Sequence, residues 1–105
     1  MITEETRRQF RAEYAASHRR FQEERDKQYD IYMMTCKRNQ TERELELRSL
    51  DPRDQGGIAL AHAEYDRKTD RASKIYERYE KRAWRSHEAR AAGLRAKYGI
   101  TEVAE

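Results

Sequence analysis

The residues that break helices are gathered in one place. Asp51-Pro52-Arg53-Asp54-Gln55-Gly56-Gly57 holds the only proline and two of the four glycines at the midpoint of a 105-residue chain, and no other glycine or proline comes before Gly93. Proline lacks the amide that a helix interior uses, and glycine loses the most backbone freedom on ordering. Such a cluster divides the chain into two long arms joined by a turn. Asp51 followed by Pro52 reads as an N-cap with proline at the first helical position, and Gly56-Gly57 loosens the opening of the second arm. At the start, Thr3 offers a capping hydroxyl ahead of Glu4 and Glu5, whose charges suit the helix dipole. Lys97-Tyr98-Gly99-Ile100 supplies a late cation, a glycine fit for a left-handed C-terminal position and an apolar residue beyond it. The expected helices span residues 3–50 and 53–98, the second starting at 53 or 58 around a turn at 51–57, with a short tail at 99–105.

Each arm carries one stripe. On a helical wheel the second arm gathers Ile58, Ala61, Tyr65, Ala72, Tyr76, Tyr79, Ala83, His87 and Leu94 into one sector, with Thr69 and Arg90 in its gaps. The opposite sector is charged, as a face turned to water should be. The first arm is less clean. Phe10, Tyr14, Ser17, Phe21, Tyr32, Cys36, Asn39, Arg43 and Leu50 share a sector that also contains Arg25 and Gln28. Polar seam residues such as Arg25, Asn39 and Arg43 fix register or oligomer state at some cost in stability. Glu23/Lys27, Asp70/Lys74 and Glu77/Lys81 are spaced to form pairs along a helix.

Folding the arms back near Asp54 brings level those positions whose numbers add to roughly 105–108. Phe10 then meets Leu94 and Tyr98, Tyr14 meets Ala91, Phe21 meets Ala83, Trp84 and His87, Tyr32 meets Ala72 and Tyr76, and Leu47 and Leu50 meet Ile58 and Ala61. The fold class is all-α, a long antiparallel two-helix hairpin of coiled-coil type forming a single domain. Leu, Ile, Val and Phe are few enough to raise disorder as an alternative, but the net charge is only +3, aromatic residues make up 10%, and proline is almost absent. A single narrow seam buries little area against the entropy of ordering the chain. The Tyr-rich edge, with Ile31, Met33, Met34, Ile75 and Trp84 outside the seam centre, is therefore expected to close a four-helix bundle in a dimer or to receive another protein's helix.

With 41% charged and 36% hydrophobic residues, the chain has little material for an enclosed catalytic core. No apolar run reaches the ~18 residues that span a bilayer, and the N-terminus lacks a signal peptide's order, so a soluble cytoplasmic protein is expected. His18 and His87 fall at one level, each preceded by serine, but a bundle metal site uses Glu-x-x-His, and Ala15 and Trp84 stand three residues before them. The expected role is a seam histidine satisfied by a hydroxyl or backbone group, with no metal or cofactor. The lone cysteine, Cys36, has no CxxC partner. Neither a glycine-rich nucleotide loop nor converging elements for a nucleophile and base are evident, so no catalytic residue, small-molecule substrate or membrane role is assigned.

Two functional readings follow. The first is a non-enzymatic protein-interaction module, an adaptor, inhibitor, regulator or assembly subunit, docking on protein partners and on itself. Its seam and contact residues are Phe10, Tyr14, Phe21, Tyr29, Tyr32, Tyr65, Tyr76, Tyr79, Trp84 and Leu94, since Tyr, Trp and flanking Arg dominate binding hot spots. The second is a nucleic-acid-binding protein using the Arg-rich open end. There Arg7, Arg8, Arg11, Arg19, Arg20, Arg82, Arg85, Arg90 and Arg95 would meet phosphates while Tyr14, Trp84 and Tyr98 stack on bases.

Overall fold

A computed structural model describes residues 2–100. It contains two helices, α1 (Glu4–Ser49) and α2 (Gln55–Tyr98), and no strand among the described residues. The expected helical hairpin is therefore observed, with a short turn between the two arms. The tail expected at 99–105 lies outside the described residues beyond Ile100.

Both outer helix ends are built as the sequence suggests. Thr3 Oγ1 accepts from the Thr6 amide at 3.1 Å, and its carbonyl takes the Arg7 amide at 3.1 Å. Gly99 has φ +67°, the Ile100 amide donates to the Arg95 carbonyl at 2.8 Å, and the Gly99 amide donates to Ala96 at 3.4 Å. Those two bonds form a Schellman cap, which closes the last carbonyls of α2.

The midpoint turn differs from expectation. Asp51 does not cap α2. It organises a turn, its side chain accepting from the Arg53 amide at 2.9 Å and its carbonyl from the Asp54 amide at 2.9 Å. Aspartate first and proline second is the favoured order for such a turn. Asp54 is the N-cap: its Oδ1 accepts from the Gly57 amide at 2.9 Å and its carbonyl from the Ile58 amide at 3.0 Å. The helix runs through Gly56 and Gly57, so the pair does not delay it to 58. Gly57 is glycine for want of room, since a Cβ there would sit 2.6 Å from Asp54 Oδ2 and 3.2 Å from Leu50 Cδ2.

The chain forms two compact units. Unit 1 comprises Met1–Asp26 with Glu80–Glu105, and unit 2 is Lys27–Tyr79. In unit 1, Phe10, Phe21, Ala83 and Ala91 are buried with Ser17 and His87. Phe10 meets the edge of Tyr98 with centroids 6.4 Å apart, and Phe21 meets Trp84 at 5.2 Å. In unit 2, Ala61 and Ala72 are buried beside Asn39. Tyr32 stacks on Tyr76 at 5.5 Å, and the Arg43 guanidinium lies 3.8 Å over the Tyr65 ring. Each contact falls at the level that antiparallel pairing predicts.

The inward positions recur every eleven residues: Phe10, Phe21, Tyr32 and Arg43 on α1, and Ala61, Ala72, Ala83 and Leu94 on α2. Eleven residues in three turns is about 3.67 per turn, nearer a straight helix than the 3.5 of a heptad coiled coil. Between the helices, Glu13 bonds Lys97 at 3.4 Å in unit 1 and Glu42 bonds Lys68 at 3.2 Å in unit 2. Of the pairs expected along a helix, Asp70 and Lys74 close at 3.0 Å.

The cap assignment has a direct consequence. Asp54→Ala should lower unfolding stability by about 1 kcal/mol in a denaturant titration. A Cβ on Gly56 meets only Asp54 Oδ1, at 3.8 Å. Gly56→Ala should therefore stabilise by about 0.5–1 kcal/mol through helix propensity, whereas Gly57→Ala should show no such gain because its methyl displaces the cap.

Candidate functional site

Two groupings of side chains stand apart from ordinary seam packing. The first is a buried polar cluster in unit 1. His87 is 1% exposed and is the largest fully buried side chain. Its Nδ1 lies 3.0 Å from Ser17 Oγ, which also accepts from Arg90 Nε at 2.9 Å. Arg90 Nη2 reaches the Ser17 carbonyl at 3.4 Å. Beside the bond from Arg90 the serine keeps a second lone pair and its own hydrogen, so it pairs with His87 Nδ1 as acceptor or donor according to the tautomer. Four rings surround it: His18 and Trp84 with centroids at 5.3 Å, Tyr14 at 5.4 Å and Phe21 at 5.8 Å.

Burial holds His87 below the ordinary histidine value, and the positive potential of His18 and Arg90 adds to this, against a smaller opposing pull from Glu88. Aromatic faces attract a cation by about 0.5–2 kcal/mol, which opposes the trend. Burial is the largest of the effects on the ring, and it favours the neutral form. Ser17 and His87 have the spacing of a nucleophile and its base. The serine is buried, however, and its oxygen accepts from Arg90. Among the described residues no group of three or more His, Cys, Asp or Glu is placed to hold a metal.

The second grouping is a band of exposed apolar residues in unit 2. From Gln28 to Cys36 the only charge is Asp30, in a chain that is 41% charged. Tyr29 and Tyr76 have centroids 5.7 Å apart, and Tyr29 and Tyr32 6.2 Å. The Tyr32 phenol is raised above its usual value, first by its hydrogen bond to Cys36. Around this cluster Tyr29, Ile31, Met33, Ile75 and Tyr79 are 43–49% exposed and Met34 is 71% exposed. An open hollow of about 470 Å³ runs beside Ile75, between Thr35 and Arg38 on one helix and Lys68 and Arg71 on the other.

The named seam residues divide accordingly. Phe10 and Phe21 are buried, while Tyr14, Tyr32, Tyr65, Tyr76 and Leu94 are partly so. Tyr79, placed in the stripe by the wheel, is exposed, as are Tyr29 and Trp84. The reason is periodicity. Tyr79 stands eleven residues from Lys68 and from Arg90, which all occupy the seam's edge, and a wheel drawn at a straight helix's pitch drifts by that much over an arm this long. Trp84 borders an open hollow of about 320 Å³ with Phe21, Glu80, Lys81 and Arg85 in unit 1.

The arginines are not assembled on one face. Arg90 is turned into the seam, and Arg95 is half-buried with an Nε that has no partner. Arg20 pairs with Glu24 at 3.4 Å. Arg7, Arg8, Arg11, Arg19, Arg82 and Arg85 are exposed, but Arg8 and Arg19 lie two residues before Phe10 and Phe21, on the side of α1 away from the seam. The link from Arg90 to Ser17 was not read from sequence, although their positions follow the same register as Phe10 with Tyr98.

No helix among the described residues is long and apolar enough to cross a membrane. Comparison with known protein families, with curated proteins and with solved structures found no match.

Ser17 is the hinge of the buried cluster. Ser17→Ala removes one oxygen yet leaves Arg90 Nε and His87 Nδ1 without their partner, and should cost about 1–3 kcal/mol in urea unfolding. Ser86→Ala, at an exposed site one residue from His87, should stay within about 0.5 kcal/mol.

Proposed function

We propose that the protein is a non-enzymatic helical-hairpin module that docks on protein surfaces through the exposed apolar residues of unit 2, with a second copy of the chain as its first partner. The observation that carries this reading is the band itself. Six of the nine large apolar residues that stand exposed fall within 29–34 and 75–79, two segments that meet through Tyr29 and Tyr76. Exposed apolar residues concentrated at one level of the hairpin favour an interaction surface there.

Adaptor, inhibitor, regulator and assembly roles all use such a surface, and a cytoplasmic location belongs to the same reading.

A nucleic-acid ligand is the competing reading, and salt separates the two. Phosphate contacts weaken steeply between roughly 50 and 200 mM salt, while apolar docking changes little. Light scattering of the purified chain should give twice the monomer mass. Met33→Asp with Ile75→Asp should return the monomer mass while helical circular dichroism is retained. A wild-type monomer that binds oligonucleotides at low salt would overturn the proposal.

A further inference from the structure

A buried imidazole that faces cations is a poor choice for simple cohesion, because an apolar ring of the same size would fill the space without a proton to manage. The groups that face His87 are unequal in charge. From α1 come Tyr14, Ser17, His18 and Phe21; from α2 come Trp84, Arg90 and, through space, Arg95 and Glu88. Glu88 is the one carboxylate among them, and it is exposed. His18 Nδ1 is itself buried without a hydrogen-bond partner. A second proton on His87 would place an enclosed positive charge one serine oxygen away from the Arg90 guanidinium, since both groups bond Ser17 Oγ.

We propose that Ser17, His18, His87 and Arg90 form an acid-sensitive latch, which holds the two helical segments of unit 1 together at neutral pH and releases them when His87 takes up a proton, baring Phe10 and Phe21. The proposal is independent of the docking band, which belongs to unit 2. Its sign follows from linkage. His87 is held below the ordinary histidine value in the folded state, so an opened segment binds the proton more readily. Stability is complete above about pH 6.5 and is lost as pH falls below it. The window lies above the range in which carboxylates titrate.

Amide hydrogen exchange on the full chain, corrected for intrinsic rates, reads the opening directly. Between about pH 7.5 and pH 5.5, protection beside Ser17 and His87 should fall about tenfold, while that beside Tyr32 and Tyr76 changes less than about threefold. His87→Gln should abolish the difference. A readout on the unaltered protein accompanies it: in an NMR titration the His87 ring should have its midpoint below the ordinary histidine value. A uniform loss of protection in both units, no loss, a loss that persists in His87→Gln, or a His87 midpoint at or above the ordinary value would each overturn the latch.

Discussion

One narrow seam carries the fold. Each helix presents a single stripe, and large residues on one side stand level with small ones on the other: Tyr32 with Ala72, Phe21 with Ala83 and Tyr14 with Ala91. Alanine lets the helices approach closely but contributes little apolar area of its own. Rings must supply most of what burial provides. Polar groups occupy the remaining seam positions, and each has to find a partner or leave an unsatisfied atom behind. Ser17, His87 and Arg90 partner one another, Arg43 covers Tyr65, and Asn39 Nδ2 has no partner.

That dependence explains how the function-bearing features arise. A stripe this thin leaves other apolar residues outside it, and in unit 2 these collect where charge is sparse. The same thinness makes the polar seam members consequential, because few apolar contacts stand behind them. An enclosed histidine therefore has more leverage on unit 1 than it would in a thick core.

Much of this was legible in the residues. The cluster of breakers at 51–57, Thr3 ahead of two glutamates and Gly99 before Ile100 are local signals, and they were fulfilled because capping is local chemistry. The levels of Phe10 with Tyr98, Phe21 with Trp84 and Tyr32 with Tyr76 followed from antiparallel folding alone. Asp54 was missed as the cap since Asp51-Pro52 carries the stronger signature, and the turn uses that signature for itself. Tyr79 was misplaced because a period of 3.6 and one of 3.67 diverge only over many turns. The eleven-residue recurrence of Phe10, Phe21 and Tyr32 was the available clue. The convergence of Arg90 on Ser17 was less accessible: the two stand level, but a wheel does not show that an arginine at the seam's edge turns inward to bond a buried serine.

The central claim is the register of the two stripes, and interhelical nuclear Overhauser effects test it most directly. The account predicts cross-peaks from Phe10 to Tyr98 and from Phe21 to Trp84 in unit 1, and from Tyr32 to Tyr76 in unit 2. Phe21 in contact with Tyr76 or Tyr79 instead, or the absence of interhelical peaks at these rings, would contradict it.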